Sequence, residues 1–124
     1  VFGAAAGVIC FFAIQAKFRF GFDDSLDVVG IHLVGGIVGG ILLGFFADSS
    51  AVPGGDFIDG VFFGGGILLW NQALSIGVVL VYSFVVTFII AKLLDSVMGL
   101  RVSVDTELMG LDQSDHGEAA YVIE

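Results

Sequence analysis

The sequence predicts an all-α membrane protein: a polytopic helical bundle with three spans in 124 residues. Two observations carry that prediction. Hydrophobic residues make up 57% of the chain and charged ones 14%, whereas a soluble domain usually has about 25% charged. The apolar residues also gather into three runs of roughly bilayer length. With a mean hydropathy of +1.05, this much apolar surface cannot be hidden in one small core, because a domain of this size leaves much of itself exposed.

The first run, Val1 to Ile14, passes into Gln15, Lys17 and Arg19 and predicts a span over about residues 1–20. Residue 1 is Val, with no initiator Met, no basic n-region and no cleavage site leading into a polar chain. The chain therefore reads as a C-terminal fragment of something longer. The second run, Val28 to Ala47, is interrupted only by His32 and predicts a span over about 27–47. The third, Gly66 to Leu94, predicts a helix over about 66–98. Some 29 helical residues make about 43 Å against a hydrocarbon core of ~30 Å, so this helix must tilt, bend or project. Lys92 near its end can snorkel toward the headgroups.

Residues 1–99 are thus expected to form the transmembrane region and 100–124 a tail. The basic residues orient the whole. Lys17 and Arg19 lie where span one runs into its connection to span two, and Lys92 and Arg101 lie at and just beyond the end of span three. The 48–65 loop has Asp48, Asp56 and Asp59 but no Lys or Arg. The positive-inside rule puts the first connection and the tail in the cytoplasm and that loop outside.

Several functions are excluded by composition. A net charge of -9 argues against nucleic-acid binding, which needs basic surface to displace counterions. One cysteine, Cys10, excludes an internal disulfide and a cysteine zinc cluster; it reads as a buried structural thiol. No metal-ligand set and no nucleophile–base pair can be assembled, so no metal, cofactor or enzymatic chemistry is expected. The loop holds the turn signal Pro53-Gly54-Gly55 and the run Gly64 to Gly66. These lack the spacing of a nucleotide fingerprint and read as backbone packed closely on a neighbour.

Span two is the informative one. Steps of four give Asp24, Val28, His32, Gly36 and Gly40, one face if the helix reaches back that far. Gly35 and Gly39 form a second row beside it, and two small-xxx-small rows permit close helix approach. His32 is an ionisable group inside a span, which is costly and usually faces the protein interior or a polar pathway. Between Val28 and Gly36 an imidazolium would be poorly solvated; the neutral ring donates one hydrogen bond and accepts another. It suits either a site passing a proton or a small neutral donor, or a plain helix–helix hydrogen bond. Asp23 and Asp24 read as caps at a helix N-terminus, and Asp27 as a cap or a brace for neighbouring backbone.

The tail is acidic at Asp105, Glu107, Asp112, Asp115, Glu118 and Glu124, yet keeps Val102, Val104, Leu108, Met109, Leu111, Tyr121, Val122 and Ile123. Full disorder favours fewer apolar side chains. An anionic inner leaflet repels such a segment, so docking on protein is expected.

These residues resemble the ammonium transporters of the Amt/Mep/Rh superfamily, in the bacterial Amt branch. Asp23-Asp24-Ser25-Leu26-Asp27-Val28-Val29-Gly30-Ile31-His32, with Gly35-Gly36 and Gly39, looks like the family's penultimate helix. Gly64-Gly65-Gly66 and Gln72 look like the start of its last helix, and Gly99-Leu100-Arg101-Val102 like the exit into its tail. Gly110-Leu111-Asp112 and His116-Gly117-Glu118-Ala119-Ala120-Tyr121 match its terminal signature, which favours the Amt branch over the Rh branch.

The resemblance implies three spans of an eleven-helix subunit in a homotrimer of the cell membrane, conducting ammonium or ammonia through an apolar pore lined by paired histidines. His32 matches the second histidine, Val28 a pore-wall position one turn away, and Asp27 a family aspartate near the inner end of the pore. The first histidine and the outer ammonium site lie outside the chain. The tail residues Gly110, Leu111, Asp112, His116, Gly117, Glu118 and Tyr121 match a regulatory signature that couples subunits and, in many bacteria, serves regulation by a trimeric PII signalling protein. Met109 departs from the pattern, standing where relatives often have an acidic residue. Two other readings stand beside transport: an ammonium sensor without flux that signals through its tail, and an assembly module in which His32 only bonds a neighbouring helix.

Overall fold

A computed structural model describes residues 1–51, 54 and 57–118. Pro53, Gly55 and Asp56 of the loop lie outside the described residues, as do Ala119, Ala120 and Tyr121 of the terminal signature. Among the described residues the regular structure is entirely helical. Three helices are long and apolar enough to cross a membrane. The chain divides into two units, 1–81 and 82–124.

In the first unit, helix α1 (Phe2–Phe20) ends where Gly21 turns left-handed at φ 69° and its N–H donates to the Lys17 carbonyl at 2.8 Å. A short turn leads to a π-helical stretch, Val29–Leu33, which runs directly into helix α2 (Val34–Phe46). Both α1 and the run from Val29 to Phe46 are long and apolar enough to cross a membrane. The π stretch has no counterpart in the sequence reading.

Glycines set the helix spacing. A Cβ on Gly30 would lie 2.8 Å from Ile14 Cγ1, and one on Gly35 3.2 Å from Cys10 Sγ, so both sit against α1. A Cβ on Gly40 would lie 2.9 Å from Ile76 Cδ1, and one on Gly44 2.7 Å from the Leu69 Cα. Those two sit against the start of helix α3 (Ile67–Met98). The expected rows are therefore split: Gly35 faces one neighbour and Gly40 another, while Gly36 and Gly39 meet no atom within 4 Å.

The connection between α2 and α3 folds back on the end of α2. The Gly60 N–H donates to the Ala47 carbonyl at 2.8 Å, and the Gly65 N–H to the Gly60 carbonyl at 3.0 Å. A Cβ on Gly60 would come within 2.6 Å of the Phe45 carbonyl oxygen. Of the expected close-packed run, Gly65 lies against the Asp59 carbonyl, Gly64 takes φ 97°, and Gly66 meets open space. The rings of Phe2, Phe46 and Phe62 cluster here, with centroids 6.0 Å apart for Phe2–Phe46 and 4.9 Å for Phe46–Phe62.

The described residues contain no buried hydrophobic residue. Helices that are apolar on all sides must be covered by lipid or by further protein. Cys10, expected to be buried, is only half-buried, because one side of α1 is uncovered.

In the second unit, α3 runs on to Met98, where the Gly99 N–H donates to the Asp95 carbonyl at 3.2 Å. Two short helices follow, α4 (Val104–Met109) and α5 (Leu111–His116). Ser103 caps α4 by accepting from the Thr106 N–H at 3.1 Å. Arg101 pairs with Glu107 at 3.3 Å, an exposed contact of small energetic weight.

Candidate functional site

The residues read as functional in span two converge on its first turns. The carboxylate of Asp24 accepts from the backbone N–H of Val28 at 2.8 Å and of Val29 at 2.9 Å. It caps the span, as its position before an apolar run suggests. It does not share a helical face with His32. Asp27 adopts the left-handed conformation, φ 57°, and this breaks the helix between the two residues. Asp tolerates that region better than most side chains.

Asp27 is the brace of the turn. Its carboxylate pairs with the Lys17 ammonium, and its carbonyl accepts from the Ile31 N–H at 2.8 Å. Lys17 also donates to the Asp24 carbonyl at 2.6 Å. The ion pair is mostly covered, at 13% side-chain exposure for Lys17 and 29% for Asp27. The sequence reading treated Lys17 only as a topology marker. The signal it missed is a cation one turn before a helix end that faces an acidic turn.

His32 lies within the π stretch. Such turns occur mostly as single insertions in α-helices, frequently at functional sites. The neighbouring Ile31 carbonyl accepts from the Cys10 thiol at 3.8 Å. His32 opens onto a groove of about 290 Å³. One wall is His32, Leu33, Gly36 and Ile37; the other is Ser75, Ile76, Val79 and Leu80. Apart from the imidazole and Ser75 the lining is aliphatic or glycine. Among the described residues no hydrogen bond or ion pair reaches the His32 ring. Val28, one turn before, is 49% exposed and does not line the groove.

Among the described residues no group of three or more His, Cys, Asp or Glu is placed to hold a metal ion. Asp59 stands apart from this site. Its carboxylate accepts from the Ser49 N–H at 2.6 Å, and that hydrogen bond holds its pKa below the ordinary carboxylate value.

The tail signature falls at helix boundaries. Gly110 joins α4 to α5 at φ 97°, ψ 132°, and its N–H donates to the Thr106 carbonyl at 3.1 Å. Leu111 and Asp112 open α5, and His116 closes it. Gly117 caps α5 in the left-handed region, φ 67°, donating to the Gln113 carbonyl at 3.1 Å, and the Glu118 N–H reaches the Asp112 carbonyl at 3.3 Å. Met109, the departure from the pattern, is 61% exposed at the end of α4.

The sequence profile of the Ammonium Transporter Family matches residues 1–121. The chain belongs to that family. It is 46% identical over 123 residues to an ammonium transporter of Mycobacterium tuberculosis, covering 96% of this chain and 26% of that protein. It is 40% identical over 122 residues to an ammonium transporter of Bacillus subtilis, covering 98% of this chain and 30% of the relative. A third ammonium transporter, from Aquifex aeolicus, is 43% identical over 120 residues, covering 96% of this chain and 27% of its own length. The chain thus spans between a quarter and a third of the length of these relatives. No solved structure gives a significant match. Membership in this family, together with three membrane-length helices, makes this a membrane protein.

Proposed function

We propose that this chain supplies part of the conduction path of an ammonium transporter, with His32 on the pore wall as the second of a histidine pair. The single observation that carries the reading is the His32 ring. It stands on a membrane-length helix, free of protein hydrogen bonds among the described residues, and opens onto an aliphatic groove. A helix–helix hydrogen bond from His32 to α1 or to the first half of α3 would have satisfied the ring, and neither supplies one.

The chemistry follows from solvation. Stripping a bare ammonium ion in an apolar passage costs several kcal/mol or more, whereas neutral ammonia avoids most of that. Ammonium gives up its proton on entering, and ammonia crosses the apolar section. A neutral imidazole can donate to and accept from it along the way. Val28, outside the groove that this chain forms by itself, is a wall position one turn further along the path, and Asp27 is a structural residue near the pore. The first histidine and the ammonium-recruiting site belong to parts of the path outside this chain.

In the same reading, residues 1–99 are the transmembrane region of a multi-pass cell-membrane protein and 100–124 its cytoplasmic regulatory tail. Lys17, Arg19, Lys92 and Arg101 support that orientation by the positive-inside rule. The subunits form a homotrimer. Gly110, Leu111, Asp112, His116, Gly117, Glu118 and Tyr121 form the regulatory segment, with a PII-type signalling protein as partner.

The test is ammonium flux into proteoliposomes by the product of the complete gene, compared with its His32→Ala variant. Flux by the parent and an altered rate or ion selectivity in the variant, with assembly retained, are the expected results. Identical kinetics and selectivity would remove His32 from the path. A parent that binds ammonium and changes its tail without flux would be a sensor.

A further inference from the structure

We infer that Lys17 is a positioning residue for His32, acting through Asp27 to hold the π turn in register; this rests on the reading of His32 as a pore residue. Three observations on the same few residues lead there. Lys17 grips the turn at two points, the Asp27 carboxylate and the Asp24 carbonyl. Asp27 is the one described non-glycine residue with positive φ. Its carbonyl, accepting from Ile31, starts the helical ladder that carries His32.

The coupling is geometric. A π turn closes i→i+5 and so holds one residue more than an α turn. Moving that extra residue past a position rotates it by about 100° about the helix axis. His32 lies inside the π stretch, so its direction depends on where the stretch begins. That point is fixed from outside the helix. Asp24 caps Val28 and Val29, Asp27 bends the chain into them, and Lys17 holds both acids' segments in place. Gly30 against Ile14, and Cys10 against Gly35 and the Ile31 carbonyl, form the bed on which the turn lies.

Removing the Lys17 charge leaves the Asp27 carboxylate half-buried without its counter-charge and the left-handed turn without its grip. The turn then relaxes, the extra residue moves, and His32 swings off the groove. The ammonium-recruiting step lies elsewhere, so maximal rate changes rather than half-saturation.

The experiment uses the product of the complete gene, reconstituted and normalised per folded molecule, with Lys17→Met, Lys17→Arg and Asp27→Asn. Lys17→Met and Asp27→Asn are expected to lower the maximal ammonium rate by about ten- to a hundredfold, the scale that misplacing a positioned group costs, with half-saturation within about twofold. Lys17→Arg, whose guanidinium can reach both acceptors, recovers most of the loss. Amide exchange at residues 28–33 speeds up in the Met and Asn variants. If Lys17→Met does not accumulate, the Asp27→Asn result decides. Parent-like rates per molecule with only the yield or melting temperature lowered would make Lys17 structural and overturn the inference. A parent without flux refutes the transport reading instead; unchanged exchange at 28–33 would then overturn the positioning role independently.

Discussion

Asp24 stands outside the helix it starts, and its two carboxylate oxygens divide between the Val28 and Val29 amides at 2.8 and 2.9 Å. The relationship sets where span two begins. With both donors held, the chain needs no further cap, and Asp27 is released to face Lys17. Two acids three positions apart thus serve two different ends: Asp24 satisfies helix donors, and Asp27 ties the turn to α1.

Asp24→Ala is expected to lose that double cap. Two N–H groups at the start of an apolar span are left without acceptors, a loss of about 1–2 kcal/mol for an N-cap. Asp24→Asn keeps one acceptor oxygen and should retain part of it. Thermal unfolding of the detergent-solubilised protein measures both, and equal melting temperatures for Asp24→Ala and the parent would refute the cap.

Gly44→Ala is expected to push α2 from the start of α3. The new Cβ would lie 2.7 Å from the Leu69 Cα, and backbone cannot turn aside as a side-chain tip can. Overpacking of this kind costs about 1–3 kcal/mol. Gly39→Ala, where no atom lies within 4 Å, serves as the comparison. A melting temperature lowered by Gly44→Ala and kept by Gly39→Ala is the expected pair. An equal loss at Gly39 would place a further neighbour on that face.

The three spans were legible because their signal is summed over some twenty residues, and no single side chain could overturn it. Finer features were not. The sequence starts span two near residue 27 and leaves open whether its helix reaches back to Asp24, since nothing in Asp27 itself marks a left-handed residue; the partner of its carboxylate, Lys17, lies ten positions earlier and on another helix. The π stretch has no pattern of its own, as it arises where those constraints meet α1. Small residues announce close approach but not direction, so Gly35 and Gly40 looked alike until their neighbours, Cys10 and Ile76, were in place. Gly30 and Gly44 make the tightest contacts on span two: Gly30 lies outside both rows, and Gly44 extends the Gly36 and Gly40 row by one more step of four without marking which neighbour it meets.

Acid should loosen the connection between α2 and α3 through Asp59. The Ser49 N–H stabilises its charged form and lowers its pKa in the folded state. A depressed folded pKa adds stability above the unfolded value, about 4 for Asp, and that stability is lost as pH falls through the folded value. The protection factor of the Ser49 amide, its exchange rate relative to an unstructured amide at the same pH, should therefore fall below about pH 4, the range set by the ordinary Asp value. In Asp59→Asn that pH dependence should vanish. A protection factor in the parent that does not change with pH would show that the carboxylate does not hold the loop.

Gly110 and Gly117 are both glycines with positive φ, yet they should respond differently to the same substitution. Gly117, at φ 67°, ψ 18°, lies in the left-handed region that asparagine enters at modest cost. Gly110, at φ 97°, ψ 132°, lies where a side chain is strained in any form, by about 1–3 kcal/mol. Its Cβ would also meet the Asp112 carboxylate at 2.7 Å. Gly117→Asn should therefore leave α5 intact, while Gly110→Asn should break the joint between α4 and α5. Amide exchange across residues 104–116 distinguishes them: protection kept in the first variant and lost in the second. Equal protection in both would mean that the joint at Gly110 can be rebuilt in another backbone conformation, and that the glycine there is not required by the turn.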